Sequence, residues 1–134
     1  MSLSDQQRSE LIDRAVRARK GAYAPYSKYL VGAALITEDG TIFHGVNVEN
    51  ASYPMTMCAE RNAVFTAVAE GFQSFEAIVV ATENGGSPCG ACRQVLSEFG
   101  LDTQVLSVDE GSNMVLDTTV RELIPYAFGP TDLE

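Results

Sequence analysis

Two short segments concentrate the residues that could do chemistry. Cys58-Ala59-Glu60 opens one stretch of helical character, and Pro88-Cys89-Gly90-Ala91-Cys92 opens another. A helix start presents unpaired backbone N–H groups and the positive end of the helix dipole. Both favour a thiolate over a thiol. Catalytic zinc sites take three protein ligands and leave the fourth position to water. Cys58, Cys89 and Cys92 match that requirement in number and in chemistry. Glu60 follows Cys58 closely enough to stand beside the metal without binding it. A carboxylate placed there can carry protons to and from water. Three thiolates would leave a zinc site formally negative, and Arg61 can offset this by hydrogen bonding to the sulfurs.

Other readings of the cysteines exist. A lone Cys-x-x-Cys also suits a redox pair or half of a structural zinc site. His44 is the sole histidine, so a structural site of three cysteines and one histidine would have to recruit it. Strand side chains alternate faces. In the run Thr41–Val48 that alternation sets His44 opposite Phe43, Gly45, Asn47 and Glu49. A structural site would also leave Glu60 without a role. The same alternation brings Asn47 and Glu49 out together at the end of the strand, as a polar pair.

The elements that must position these groups follow from the pattern. Ser4 with Gln7 reads as a capping box, and Leu11, Ala15, Ala18 and Ala22 continue a helical stripe. Ala22–Lys28 is a loop. Leu30–Ile36 and Thr41–Val48 flank Asp39-Gly40 as a hairpin. After the loop Asn50–Met57, Cys58–Glu70 is a helix ended by Gly71. Ala77–Thr82 is a strand covered on both faces. Cys89–Phe99 is a helix closed by Gly100, Thr103–Val108 a strand, and Asn113–Leu116 a short strand. A final helix runs from near Thr118 to about Pro125. The strand–helix–strand unit from Ala77 to Val108 implies a parallel pair with a right-handed crossover. The gap from Val108 to Asn113 is too short for another crossover, so the last strand should run antiparallel. The expected fold is α/β, a three-layer α-β-α sandwich on a mixed five-stranded sheet, with residues 1–134 forming one domain.

The chain carries 18 acidic and 9 basic residues, a formal charge of −9. Nucleic-acid backbones are bound through clustered Lys and Arg, so a polynucleotide partner is disfavoured. Arg14, Arg17, Arg19 and Lys20 read as a solvated helix face. No apolar run approaches the ~20 residues of a membrane span. The polar start MSLSDQQRSE has no signal-peptide core, and an odd number of cysteines fits a reducing compartment. A cytoplasmic location is expected.

Taken as a set, the residues resemble a known family. Cys58-Ala59-Glu60 with Pro88-Cys89-x-x-Cys92 resembles the signature of the zinc nucleoside and nucleobase deaminases. Ala24-Pro25-Tyr26-Ser27-Lys28-Tyr29, Val31-Gly32-Ala33-Ala34-Leu35, Asn47-Val48-Glu49-Asn50-Ala51-Ser52-Tyr53, Cys58-Ala59-Glu60-Arg61, Pro88–Gln94 and Leu123–Phe128 are similar to the small three-cysteine cytidine deaminases. The resemblance implies one zinc per chain on Cys58, Cys89 and Cys92, with Glu60 as proton carrier and Arg61 tempering the thiolates. It implies that Asn47 and Glu49 hold ribose and that backbone at Ala59 faces the pyrimidine. Tyr29 stands where the family usually has a phenylalanine on the base, and its hydroxyl needs a partner. The implied reaction converts cytidine or deoxycytidine to the uridine form with release of ammonia, as a step of pyrimidine salvage. The family also implies a homotetramer with shared sites, for which Tyr53 and Phe128 are the candidate borrowed groups. A deaminase of the blasticidin kind, a polynucleotide deaminase and a zinc-stabilised binding module are the rival readings.

Overall fold

The computed structural model describes residues 3–134. Helix α1 spans Asp5–Arg19 and begins on the expected capping box. The Ser4 hydroxyl accepts the Gln7 N–H at 3.1 Å, and the Gln7 side chain accepts the Ser4 N–H at 3.0 Å. Strands β1 (Gly32–Thr37) and β2 (Ile42–Val46) form the hairpin around Gly40. Helix α2 (Ala59–Ala69), strand β3 (Phe75–Ala81), helix α3 (Gly90–Glu98) and strand β4 (Gln104–Val108) follow. Strand β5 (Met114–Thr119) and the one-turn helix α4 (Val120–Leu123) complete the order, with 3-10 turns at Tyr53–Met55 and Pro130–Leu133.

The five strands lie in the order β2-β1-β3-β4-β5. β3 and β4 are parallel and joined through α3, while β5 runs antiparallel to β4, as the short connection requires. On one face Ala34, Ile36, Val79, Ala81 and Leu106 pack with Leu11 and Ala15 of α1. On the other, Leu35, Ile78 and Val105 pack with Ala59, Ala63, Val64 and Leu96 of α2 and α3. These are the three layers expected, with apolar residues on both faces of the central strands.

Close backbone approaches set where the helices sit. A Cβ at Gly45 would lie 2.5 Å from both the Ala59 carbonyl oxygen and the Ala63 nitrogen. Strand β2 thus rests directly on the first turn of α2. Gly32 plays the same part for α1, where a Cβ would lie 2.3 Å from the Ala15 carbonyl oxygen.

Element ends differ from the sequence pattern for local reasons. β2 stops at Val46 because its partner β1 begins at Gly32, the residue that pairs with Val46. Val48 instead bridges Tyr23 and Met57, which keeps residues 47–49 extended. β5 is longer than expected, since β4 pairs along it as far as Thr119. The last helix is shorter. It starts only after Thr119, whose hydroxyl caps Glu122, and ends before Pro125, which disfavours helical backbone in the preceding residue. The arginines of α1 are engaged: Arg17 pairs with Asp13 at 2.8 Å, Arg14 with Glu10, and Arg19 with Glu110 and the Leu30 carbonyl.

Candidate active site

The cysteines occupy the helix mouths. Cys58 is the N-cap of α2 and Cys89 the N-cap of α3, with Cys92 in the first turn of α3. In neither helix does the N-cap side chain make a capping hydrogen bond, so both sulfurs remain available to a metal. α2 and α3 lie on the same face of the sheet, and this brings the two mouths together. The Sγ atoms of Cys58 and Cys89 are 3.8 Å apart and those of Cys89 and Cys92 are 3.6 Å apart. Tetrahedral zinc with Zn–S bonds of ~2.3 Å requires sulfurs about 3.8 Å from one another. All three sulfurs fall within 4.8 Å of one another, and among the described residues no histidine or carboxylate joins them. The donor set fits a three-thiolate zinc site.

Electrostatics favour the metal-binding state of Cys58. Its thiol is pushed down to about 5, first by the hydrogen bond with Cys92 and then by Arg61, whose Nη2 donates to Cys58 Sγ at 3.3 Å. Cys92 is held up by that same shared hydrogen bond and by burial. Metal binding must therefore displace its proton. The sulfurs in turn hold the Arg61 guanidinium firmly charged.

Glu60 sits in the first turn of α2 and is only 5% exposed. Burial raises its carboxyl above the usual range, with the Cys58 thiolate adding to the effect. A carboxyl so placed exchanges protons closer to neutral pH than a solvated one.

A cavity of about 250 Å³ extends from this cluster. Cys58, Ala59, Glu60 and Cys89 line one part, and Ser27, Tyr29, Asn47 and Glu49 also face it. Glu49 is fixed from outside the strand: one carboxylate oxygen accepts the N–H groups of Tyr26 and Ser27, the other the Ser27 hydroxyl. These donors hold it below the usual carboxylate range, keeping it an acceptor. The Asn47 amide accepts from the Val31 N–H at 2.9 Å and donates to the Tyr29 carbonyl at 3.0 Å. One N–H and one lone pair remain for a ligand. The Tyr29 hydroxyl has its partner in Asn84 Oδ1, at 2.7 Å.

His44 is exposed and lies against Arg17, Ala18 and Asn62, away from the sulfurs. Tyr53 (70% exposed) and Phe128 (60% exposed) do not line the cavity. Tyr53 packs edge-on to Tyr26, and the Phe128 carbonyl accepts from Gln94 on α3. The sequence pattern missed Ser27 as the support of Glu49, Thr82 on the opposite wall, and Asn84 as the partner of the Tyr29 hydroxyl. Ser, Thr and Asn beside Gly85-Gly86 do signal a turn, but not what that turn faces.

Architecture and donor set together narrow the protein to the zinc-dependent deaminases. A model of the cytidine and deoxycytidylate deaminase zinc-binding region matches residues 5–108, and the chain belongs to that family. A cytidine deaminase of Sporosarcina psychrophila is 49% identical over 126 residues, covering 92% of this chain and 93% of its own. One from Halalkalibacterium halodurans is 48% identical over 130 residues, covering 94% and 97%. The crystal structure of cytidine deaminase from Burkholderia pseudomallei superimposes with a TM-score of 0.86 at 45% identity, covering 94% of this chain and all of that one. A blasticidin-S deaminase of Bacillus cereus is 33% identical over 133 residues, covering 92% and 93%.

Proposed function

We propose that the chain hydrolytically deaminates cytidine and 2′-deoxycytidine, giving the uridine nucleoside and ammonia. The observation that carries this reading is the buried Glu60 beside three convergent sulfurs, in one cavity with Asn47 and Glu49. Cys58, Cys89 and Cys92 hold a single zinc, which when bound supplies the Lewis acidity that makes water a nucleophile near neutral pH.

The remaining chemistry belongs to the chain. Glu49, already ionised and held by Ser27, accepts a ribose hydroxyl, and the free N–H of Asn47 donates to the sugar. Together they point the base toward the sulfur cluster. Backbone at Ala59 faces the pyrimidine edge, and Tyr29 forms one wall. Glu60 takes a proton from the attacking water and delivers it to the ring nitrogen beside the amino-bearing carbon. After addition, Glu60 takes the second proton of that water and passes it to the departing amine. Water and cytidine are thus converted to uridine and ammonia with Glu60 regenerated. Arg61 holds the Cys58 sulfur and limits the excess negative charge at the cluster.

In this reading residues 1–134 form one catalytic domain of a cytoplasmic homotetramer in pyrimidine salvage, with Tyr53 and Phe128 completing the sites of neighbouring copies. Its partners are small nucleosides rather than nucleic acid, and no helix among the described residues is long and apolar enough to cross a membrane.

Asn47 with Glu49 favours a ribose-bearing substrate over a blasticidin-type one. An ultraviolet assay against cytidine, deoxycytidine, cytosine, adenosine and blasticidin S tests this. Turnover of the two cytosine nucleosides is expected, with cytosine and adenosine untouched. Preferential turnover of blasticidin S would reverse the assignment.

A further inference from the structure

One side-chain contact joins the two walls of the cavity. The Tyr29 hydroxyl reaches Asn84 Oδ1 across 55 positions of sequence. Asn84 belongs to a turn organised by Thr82, whose hydroxyl oxygen accepts the N–H groups of Gly85 at 2.7 Å and Gly86 at 2.9 Å. Gly86 and Ser87 line the cavity and lead into Cys89. A Cβ at Gly86 would come within 2.9 Å of the Tyr29 hydroxyl oxygen. The bare backbone there is what admits the phenol to the turn.

The other end of Tyr29 is equally fixed. Its backbone carbonyl accepts from the Asn47 amide. The tyrosine therefore spans from the residue assigned to the sugar to the segment preceding a metal ligand. In the nucleoside reading the base lies between those two points. The cavity is about 250 Å³, toward the small end for a ligand pocket. Moving the ring away from the turn, or the turn away from the ring, breaks the Tyr29–Asn84 bond.

Resting on the nucleoside reading above, we propose that Asn84 is a positioning residue that acts through the Tyr29 hydroxyl to latch the two walls and limit the substituents accepted on the pyrimidine. A phenylalanine at this position would supply the same wall without the latch.

Steady-state kcat and KM on cytidine, 5-methylcytidine and 5-bromocytidine test this in the wild type, Tyr29→Phe, Asn84→Ala, Asn84→Asp and the Tyr29→Phe/Asn84→Ala double variant. Tyr29→Phe and Asn84→Ala should each raise kcat/KM for the substituted bases relative to cytidine by about three- to tenfold, the worth of one neutral hydrogen bond. The change should fall mainly in KM. The double variant should gain no more than either single one, because both remove the same contact. Asn84→Asp keeps an acceptor oxygen and should retain the wild-type ratio. Unchanged ratios, additive gains, or an Asp variant behaving like Ala would each overturn the latch. Wild-type failure to turn over cytidine is a separate result that would sink the nucleoside reading. The contact is then still read without substrate, by thermal unfolding. Gly86→Ala should lower Tm less in the Tyr29→Phe background, where the clashing oxygen is gone. Equal Tm losses in both backgrounds would overturn it.

Discussion

At the scale of single residues, the site separates charge that is held from charge that must move. Glu49 is surrounded by donors from Tyr26 and Ser27 and stays ionised. Glu60 is buried and inclined to hold a proton. The two carboxylates suit opposite tasks, an acceptor for a sugar hydroxyl and a proton carrier. Glu49→Ala should raise KM for cytidine by about 10- to 100-fold, the range for a lost charge-assisted hydrogen bond, with kcat changed far less. Unchanged KM would remove Glu49 from the ribose. Strand alternation made the pairing of Asn47 with Glu49 legible in the sequence, and helix-start chemistry did so for the cysteines. Ser27 and Asn84 were not legible. Their partners lie 22 and 55 positions away, and no local periodicity reports contacts between loops.

At the scale of elements, two helix N-termini are delivered to one point by how closely α2 meets the sheet. Gly45 permits that approach, and Cys58 and Glu60 flank the contacted Ala59. Gly45→Ala should force the first turn of α2 outward, costing about 1–3 kcal/mol, as overpacking does. It should also lower zinc content in parallel, which metal analysis and thermal unfolding would show together. Full zinc occupancy with an unchanged Tm would disprove the coupling. The order of elements followed from apolar periodicity and the capping and turn residues between runs, and the antiparallel last strand from connection length. The ends of β2, β5 and α4 did not, because they depend on which neighbour is present to pair, at Gly32 for β2 and along β4 for β5.

At the scale of the whole molecule, large apolar groups are left uncovered. Tyr53, Met55, Tyr126 and Phe128 are all exposed, and where such groups form one patch they mark a surface that associates. Tyr53 and Phe128 stand outside the cavity of their own chain, as groups lent to a neighbour would. Under the homotetramer proposed above, light scattering should give four times the 14.4 kDa of one chain, and a monomeric mass with full activity would exclude shared sites. The central claim joins the metal to one carboxylate, and Glu60→Gln tests it most directly when zinc content and cytidine turnover are measured on the same sample. The expected result is about one zinc per chain, as a single three-ligand site requires, and turnover lower by at least about two orders of magnitude, in line with loss of a positioned proton carrier. Undiminished turnover with zinc in place would contradict it.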